Sequence, residues 1–351
     1  MSTADIPDRK IWKRDLARYL EIDRRRSLGQ LASVIVPYLA VWVAAALIQP
    51  GPFLAAGLGL VATVFLIRMY SLFHDLTHNS LFASRRANSA WGHALGYLLF
   101  TPYRWWQRQH ALHHAHTGDL DHRGPGEIHT MTVAEYGSAP WYRRLGYRLY
   151  RNPVLMLLVG PTLVFLFDRR FPQRGMTPRI LLSVVLTNIA LAGWAIGWSA
   201  LVGWETFLFL QGTTLVAGGA VAAWMLYIQH QYEDTYYMSS AAGEWRFELA
   251  ALRGSSFLVL PRPLAWVVGN ANYHHVHHLS ARIPNYRLRA AHEEQGLFAT
   301  TPVVTVRSSL ACFRLKLWDS EREGLVSFPP ATRSRRGRQV QGPPVAAKQA
   351  S

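Results

Sequence analysis

Cysteine is nearly missing from this chain. Cys312 stands alone among 351 residues, so a single chain cannot close a disulfide, build a Cys-ligated zinc site or hold a Cys-bound iron–sulfur cluster. Charge is also scarce: Asp, Glu, Lys and Arg make up 17%, below the roughly one quarter usual in soluble domains. Acidic residues are the scarcer sign, 21 against 37 basic ones, which leaves a formal charge of +16. The basic residues form no nucleic-acid motif and flank apolar segments instead. Anionic headgroups and an acidic protein partner are therefore the expected counter-charges, and nucleic acid is not.

What is abundant is apolar and aromatic. Half of the residues are hydrophobic, 12% are Trp, Tyr or Phe, and the mean hydropathy is +0.03. That combination predicts membrane spans with interfacial anchors, joined to sizeable polar segments. Four stretches, 33–48, 52–73, 180–202 and 205–228, are apolar enough to cross a hydrocarbon core, a task that takes roughly 17–25 helical residues. The turns Gln49-Pro50-Gly51-Pro52 and 198–205, which split the two pairs, contain no Lys or Arg. All basic segments then fall on the other side, which the positive-inside rule makes cytoplasmic. In a bacterium this would be the inner membrane, crossed several times.

Two shorter apolar stretches, 90–102 and 152–167, remain. The second is bracketed by Arg151 and Asp168 and contains Pro161, which predicts an interfacial or re-entrant piece rather than a fifth span. A fifth crossing would also put the histidines after residue 270 on the opposite face from those before residue 120. Residues 1–32 read as a cytoplasmic arm whose apolar run starts too late for a cleavable signal peptide. Residues 33–330 read as one membrane domain, and 331–351, rich in Arg, Gln, Pro and Ala, as a disordered basic tail.

Histidine is over-supplied, at 15, and clusters near span ends. The clusters are His74-Asp75-Leu76-Thr77-His78, His110-Ala111-Leu112-His113-His114 and His274-His275-Val276-His277-His278. Residues three and four apart share a helix face, so each box is expected to aim two or three imidazoles at one point. Neutral imidazole is a ligand for iron, zinc, copper and nickel. The eight candidates His74, His78, His110, His113, His114, His274, His277 and His278 are twice what a tetrahedral zinc takes, which predicts two metals and favours a redox pair. His230, directly after the fourth span, lies at the same depth and is a ninth candidate.

The other histidines carry less. His93, His122, His129 and His292 have no partner at ligand spacing, and His116 and His275 fall beside the boxes but off the shared face. Asp75, Asp119, Glu233 and Asp234 are candidates to orient imidazoles from behind, and Asn270 or Asn272 could hold a metal-bound water.

These motifs resemble the membrane fatty acid desaturases, in detail the bacterial acyl-lipid type related to Δ12 (omega-6) enzymes. The resemblance is carried by HDLTHNSLF from His74, HALHHAHTGDLDHRGPGEIHTMTVAEY from His110, YIQHQYEDTYY from Tyr227 and GNANYHHVHHLSARIPNYRL from Gly269. It extends over about 33–329. It implies an all-α integral membrane fold, with four transmembrane helices and a cytoplasmic helical cap holding a di-iron site. The family's ligand positions fall on the eight box histidines, and the additional histidine of related desaturases on His230. Leu76-Thr77 replaces a commoner Cys-Gly on the side away from metal, and His116 replaces a residue that is commonly not histidine.

The implied reaction is O2-dependent insertion of a cis double bond into a fatty-acyl chain of a membrane lipid, at Δ12. Removing two hydrogens from an unactivated methylene pair is beyond any side-chain acid or base, so two iron ions and O2 are the expected cofactors. No haem-binding, flavin or nicotinamide fingerprint accompanies the boxes. Electrons should come from a separate donor, and the basic surface favours an acidic one such as a ferredoxin. Two rival classes share part of this pattern. A membrane di-iron hydroxylase or ketolase would use similar boxes and differ in product. A metal carrier or a haem electron conduit is the other, and haem ligands would lie inside the spans, whereas here the histidines sit at their ends.

Overall fold

The computed structural model describes residues 9–124 and 126–329. Its frame is four long helices, Arg24–Ile48, Pro52–Thr77, Pro178–Val202 and Trp204–His230, of 25, 26, 25 and 27 residues. At 1.5 Å per residue each is about 38 Å or longer, enough for a hydrocarbon core of about 30 Å. The first starts nine residues before the hydropathy boundary, where Asp23 caps it by accepting from Arg26 N at 3.0 Å. Pro52 and Pro178 occupy first-turn positions, where a missing N–H costs nothing. The second and fourth helices run past their apolar stretches to Thr77 and His230. That extension keeps His74 and His230 on rigid helix.

Small residues and rings hold the four helices together. A Cβ on Gly59 would lie 2.7 Å from the Leu210 carbonyl oxygen, so only glycine lets the second and fourth helices approach this closely. Trp42 on the first helix is fully buried. It meets Trp194, Trp198 and Phe207 at ring distances of 5.2, 5.0 and 5.8 Å, which ties it to the third and fourth. Phe53, Ile196 and Trp204 project outward and exposed, as lipid-facing positions do.

Helix Arg85–Leu98 is 14 residues long, about 21 Å, too short to cross. The stretch after Arg151 is more informative. Helix Trp141–Tyr150 and the run Leu155–Asp168 meet at a 67° bend, and the run contains two π-helical turns around Gly160–Leu163. Pro161 packs against the fourth helix where a Cβ on Gly219 would stand only 2.9 Å away. The rings of His113 and His230, on either side of this run and the third and fourth helices, are 4.9 Å apart. The number of crossings between them is therefore even, and Leu155–Asp168 cannot be a complete extra span.

The remaining helices form a cap at the end of the bundle where the second and fourth helices terminate. They include Tyr103–His116, Phe247–Arg253, His274–Leu279 and Asn285–Glu294. Strand Phe257–Val259 pairs in parallel with Val303–Thr305, and Leu317–Asp319 pairs antiparallel with Gly324–Val326. The N-terminal segment joins this cap. Trp12, Leu16 and Tyr19 are buried against Val276, Leu279, Leu288 and Phe298, and Arg18 pairs with Glu294 at 2.8 Å. The sequence 331–351 lies outside the described residues.

Candidate metal centre

Four elements deliver the histidines. His74 lies in the last turn of Pro52–Thr77 and His78 caps it. Helix Tyr103–His116 carries His110, His113 and His114. His230 ends the fourth long helix, and the short helix His274–Leu279 carries His274, His277 and His278. The structure brings all nine together, in two groups. His74, His78, His110, His114 and His277 form one, and His113, His230, His274 and His278 the other, with the ligand atoms of each group within 4.8 Å of one another.

Each box sends two imidazoles to one group, and the second and third boxes each send a further one to the other group. In the second and third boxes the i,i+4 pairs His110/His114 and His274/His278 stay together, while His113 and His277 go to the opposite group. On a helix, i+3 and i+4 stand about 100° apart around the axis. Two centres side by side can thus be fed from one turn. Stacking of His114 on His278 at 4.2 Å shows how closely the groups adjoin.

The ring nitrogens are placed as ligands to a common ion would be. His114 Nε2 lies 3.1 Å from His110 Nε2 and 2.9 Å from His277 Nε2. His274 Nε2 lies 3.0 Å from His230 Nε2 and 2.9 Å from His278 Nε2. A ring nitrogen has one in-plane hydrogen or one lone pair, so three converging nitrogens cannot satisfy one another, whereas a cation between them satisfies all. Metal–nitrogen bonds of about 2.1 Å at right angles would separate cis nitrogens by about 3.0 Å, against about 3.4 Å in a tetrahedron. Both separations are close to the observed ones, so each set of nitrogens can converge on one ion.

Electrostatics point the same way. Burial, reinforced by the neighbouring imidazoles, holds His110, His114, His274, His277 and His278 well below the usual histidine pKa. These rings are neutral near pH 7, with lone pairs free for metal.

Behind the rings lie partners that orient them. His230 Nδ1 donates to the Gly254 carbonyl at 2.7 Å, which leaves Nε2 unprotonated toward its group. Asp75 Oδ1 stands 3.7 Å from His74 Nδ1, and its Oδ2 accepts from the backbone N and side-chain Nδ2 of Asn285, both at 2.8 Å. Glu127 was not foreseen, because nothing in its local sequence marks it. Its Oε1 lies 3.6 Å from His113 Nδ1. The other carboxylates do not serve the nine rings. Asp119 faces His122, at 2.9 Å, while Glu233 and Asp234 are exposed and make no ion pair among the described residues.

Further expectations need correction. His292 has a partner after all, since its Nδ1 meets His275 Nε2 at 2.9 Å. His122 gathers with His116 around Asp119. Loop closure and the folding back of Asn285–Glu294 create these pairings, which sequence spacing cannot reveal. Asn270 has a φ of 58° and donates to the Asn285 carbonyl, and Asn272 donates to the Leu258 carbonyl. Both amide nitrogens therefore brace the turn before the third box, and the buried Oδ1 of Asn272 has no hydrogen-bond partner among the described residues. His93 packs on Tyr103 and His129 against Tyr147.

A cavity of about 710 Å³ opens beside the histidines and runs between the second and fourth long helices and Leu155–Asp168. Its walls include His74, Trp106, Met156, Pro161, Leu215 and Ala222. Small residues on the fourth helix, among them Gly218, Gly219, Ala222 and Ala223, give it width. Trp106 stacks on His110 at 4.4 Å and donates to Tyr70 Oη at 2.9 Å. A ligand site of this size and apolar lining suits one flexible hydrocarbon chain.

Comparison with known proteins agrees with this picture. A family model described as fatty acid desaturase matches residues 50–305. The chain is 38% identical to a fatty acid desaturase of Bacillus subtilis (strain 168), over 90% of this chain and 89% of that protein. It is 26% identical to an sn-1 oleoyl-lipid 12-desaturase of Anabaena variabilis, over 77% and 76% of the two chains. It is 28% identical to an sn-1 acyl-lipid omega-3 desaturase (ferredoxin) of Synechocystis, over 64% and 63%. A helical membrane protein whose histidines gather at one end of its spans, with this extent of likeness, belongs to the fatty acid desaturase family.

Proposed function

We propose that the nine histidines hold two iron ions and that the protein uses O2 to introduce a cis double bond into the acyl chain of a membrane lipid. The observation that carries this reading is the meeting of nine imidazoles, in groups of five and four, with an apolar cavity of about 710 Å³. When bound, the irons would supply the oxidising power, with O2 and two external electrons, that an unactivated methylene pair demands.

The chain's own part is positional. The cavity walls hold the hydrocarbon in one path and exclude water, so that a single methylene pair faces the centre. The Gly254 carbonyl fixes the ring of His230 through a hydrogen bond, while Asp75 and Glu127 stand 3.7 and 3.6 Å behind His74 and His113, in position to orient those rings. Asp75 is itself gripped by two donors of Asn285, which couples the first box to the segment following the third.

The position of the double bond is proposed as Δ12 (omega-6). The 12-desaturase name of the Anabaena relative supports this, while the Synechocystis relative is named for a different position, omega-3. The donor is proposed to be a separate acidic protein of the ferredoxin type, a reading supported by the word ferredoxin in that relative's name and by the net charge of +16. The distribution of basic residues supports a centre on the cytoplasmic side of a bacterial inner membrane.

The test is expression in a host that lacks polyunsaturated lipids, followed by gas chromatography of fatty acid methyl esters. A new cis alkene at Δ12 of a 16- or 18-carbon monoenoic chain is the expected product. An alkene elsewhere would overturn the position alone, and hydroxy or keto products would favour a hydroxylase or ketolase.

A further inference from the structure

Beyond the second box the chain leaves helix Tyr103–His116 and forms a strap whose ionisable side chains gather apart from the nine histidines. Gly118 and Leu120 pair through their backbone with Met238, at 2.9 and 3.0 Å. Trp245 Nε1 donates to the Thr117 carbonyl at 2.9 Å. Asp119 is buried at the centre of this strap, its side chain only 2% exposed. Its Oδ1 accepts from Asp121 N at 3.0 Å and Ser240 N at 3.3 Å. The carboxylate is thus locked in place by backbone donors before any ligand arrives.

Its second oxygen, Oδ2, points at two histidines. His122 Nδ1 lies 2.9 Å away and His116 Nδ1 3.9 Å away. The two rings stack at 5.0 Å, and one ligand atom from each of the three residues falls within a 4.8 Å group. His116 follows His114 by two residues, about 200° around the helix, and it joins neither group of the nine-histidine centre. Both rings are partly or largely exposed, His116 by 35% and His122 by 59% of the side chain. They can turn by small amounts toward a shared ion, and solvent can occupy the remaining positions.

We propose that His116, Asp119 and His122 form a separate site for a divalent first-row metal ion of the zinc class, on the outer surface of the cap. Two imidazoles and one carboxylate with open positions are a donor set for such ions. Buried Asp119 with its fixed orientation supplies the anchor, and the exposed rings make the ion exchangeable. Occupancy would clamp the strap that leads out of the second box onto the turn at Ser239–Ala241, which Asp121 Oδ2 already holds through Ser239 Oγ at 2.6 Å and Ala241 N at 2.9 Å.

The test uses the full-length protein, purified in detergent with its own metal bound and dialysed against buffered Zn2+. Zinc and all other metals are counted in the same sample by mass spectrometry. Wild type should take up one zinc per chain while its other metal content stays constant. His122→Gln should weaken that uptake at least about tenfold, since even outer partners of a metal ligand are worth about 10- to 100-fold. His116→Ala with His122→Gln should abolish it. If the double variant loses its other metal as well, the single exposed substitution His122→Gln decides. No zinc uptake by wild type, or equal uptake by His122→Gln, would overturn the proposal and leave a plain Asp119–His122 hydrogen bond.

Discussion

Glu127 Oε1 stands 3.6 Å from His113 Nδ1, and neither buried atom has a hydrogen-bond partner among the described residues. His113 belongs to the four-histidine group, the smaller of the two. A carboxylate behind a ligating imidazole fixes its tautomer and strengthens its lone pair. Glu127→Gln preserves shape and removes the charge. It should lower iron affinity by about 10- to 100-fold, with turnover falling in step and expression unchanged. Iron content and desaturation equal to wild type would show that the 3.6 Å approach is incidental.

His230 gives a sharper case, because its group has no donor to spare. His230→Ala should reduce bound iron from two per chain toward one and abolish turnover, much as His113→Ala should, while membrane insertion persists. His93→Ala is the matched control and should change little, since that ring packs against Tyr97 and Tyr103 and belongs to neither histidine group. His292 is unsuitable as a control, because it meets His275 directly after His274. Two irons and near-normal activity in His230→Ala would remove it from the ligand set.

The cavity predicts a variant that separates metal from substrate. Ala222 lines the cavity on the fourth long helix, away from every ring nitrogen of the centre. Ala222→Phe should fill the path of the hydrocarbon and cut alkene formation at least about tenfold, equivalent to about 1.4 kcal/mol, with full iron content. Loss of iron together with activity would instead mean that the helix itself had shifted.

Electron supply should show the signature of charge attraction. With a formal charge of +16 on the chain, an acidic donor docks through exposed charges, which salt screens over about 8 Å at physiological ionic strength. Raising ionic strength should therefore raise the apparent KM for a ferredoxin-type donor and leave the rate at saturating donor nearly constant. The purified protein with NADPH alone should not sustain turnover. A salt-independent KM would argue for an apolar docking surface.

Much of this protein is written locally. Apolar length sets the four long helices, and the histidine spacings put i,i+4 pairs such as His74/His78 on one face, because both depend only on helix pitch. The position of His230 at the end of the fourth helix was legible for the same reason. Tertiary structure decided what lies across space. It divided the second and third boxes between two groups, since His113 and His277 turn toward rings from other helices. It brought Glu127 to His113, Gly254 to His230 and His292 to His275, contacts between segments 14 to 24 positions apart in sequence that no periodicity connects. It also folded Leu155–Asp168 back against Gly219, and so closed a cavity whose walls are contributed by helices far apart along the chain.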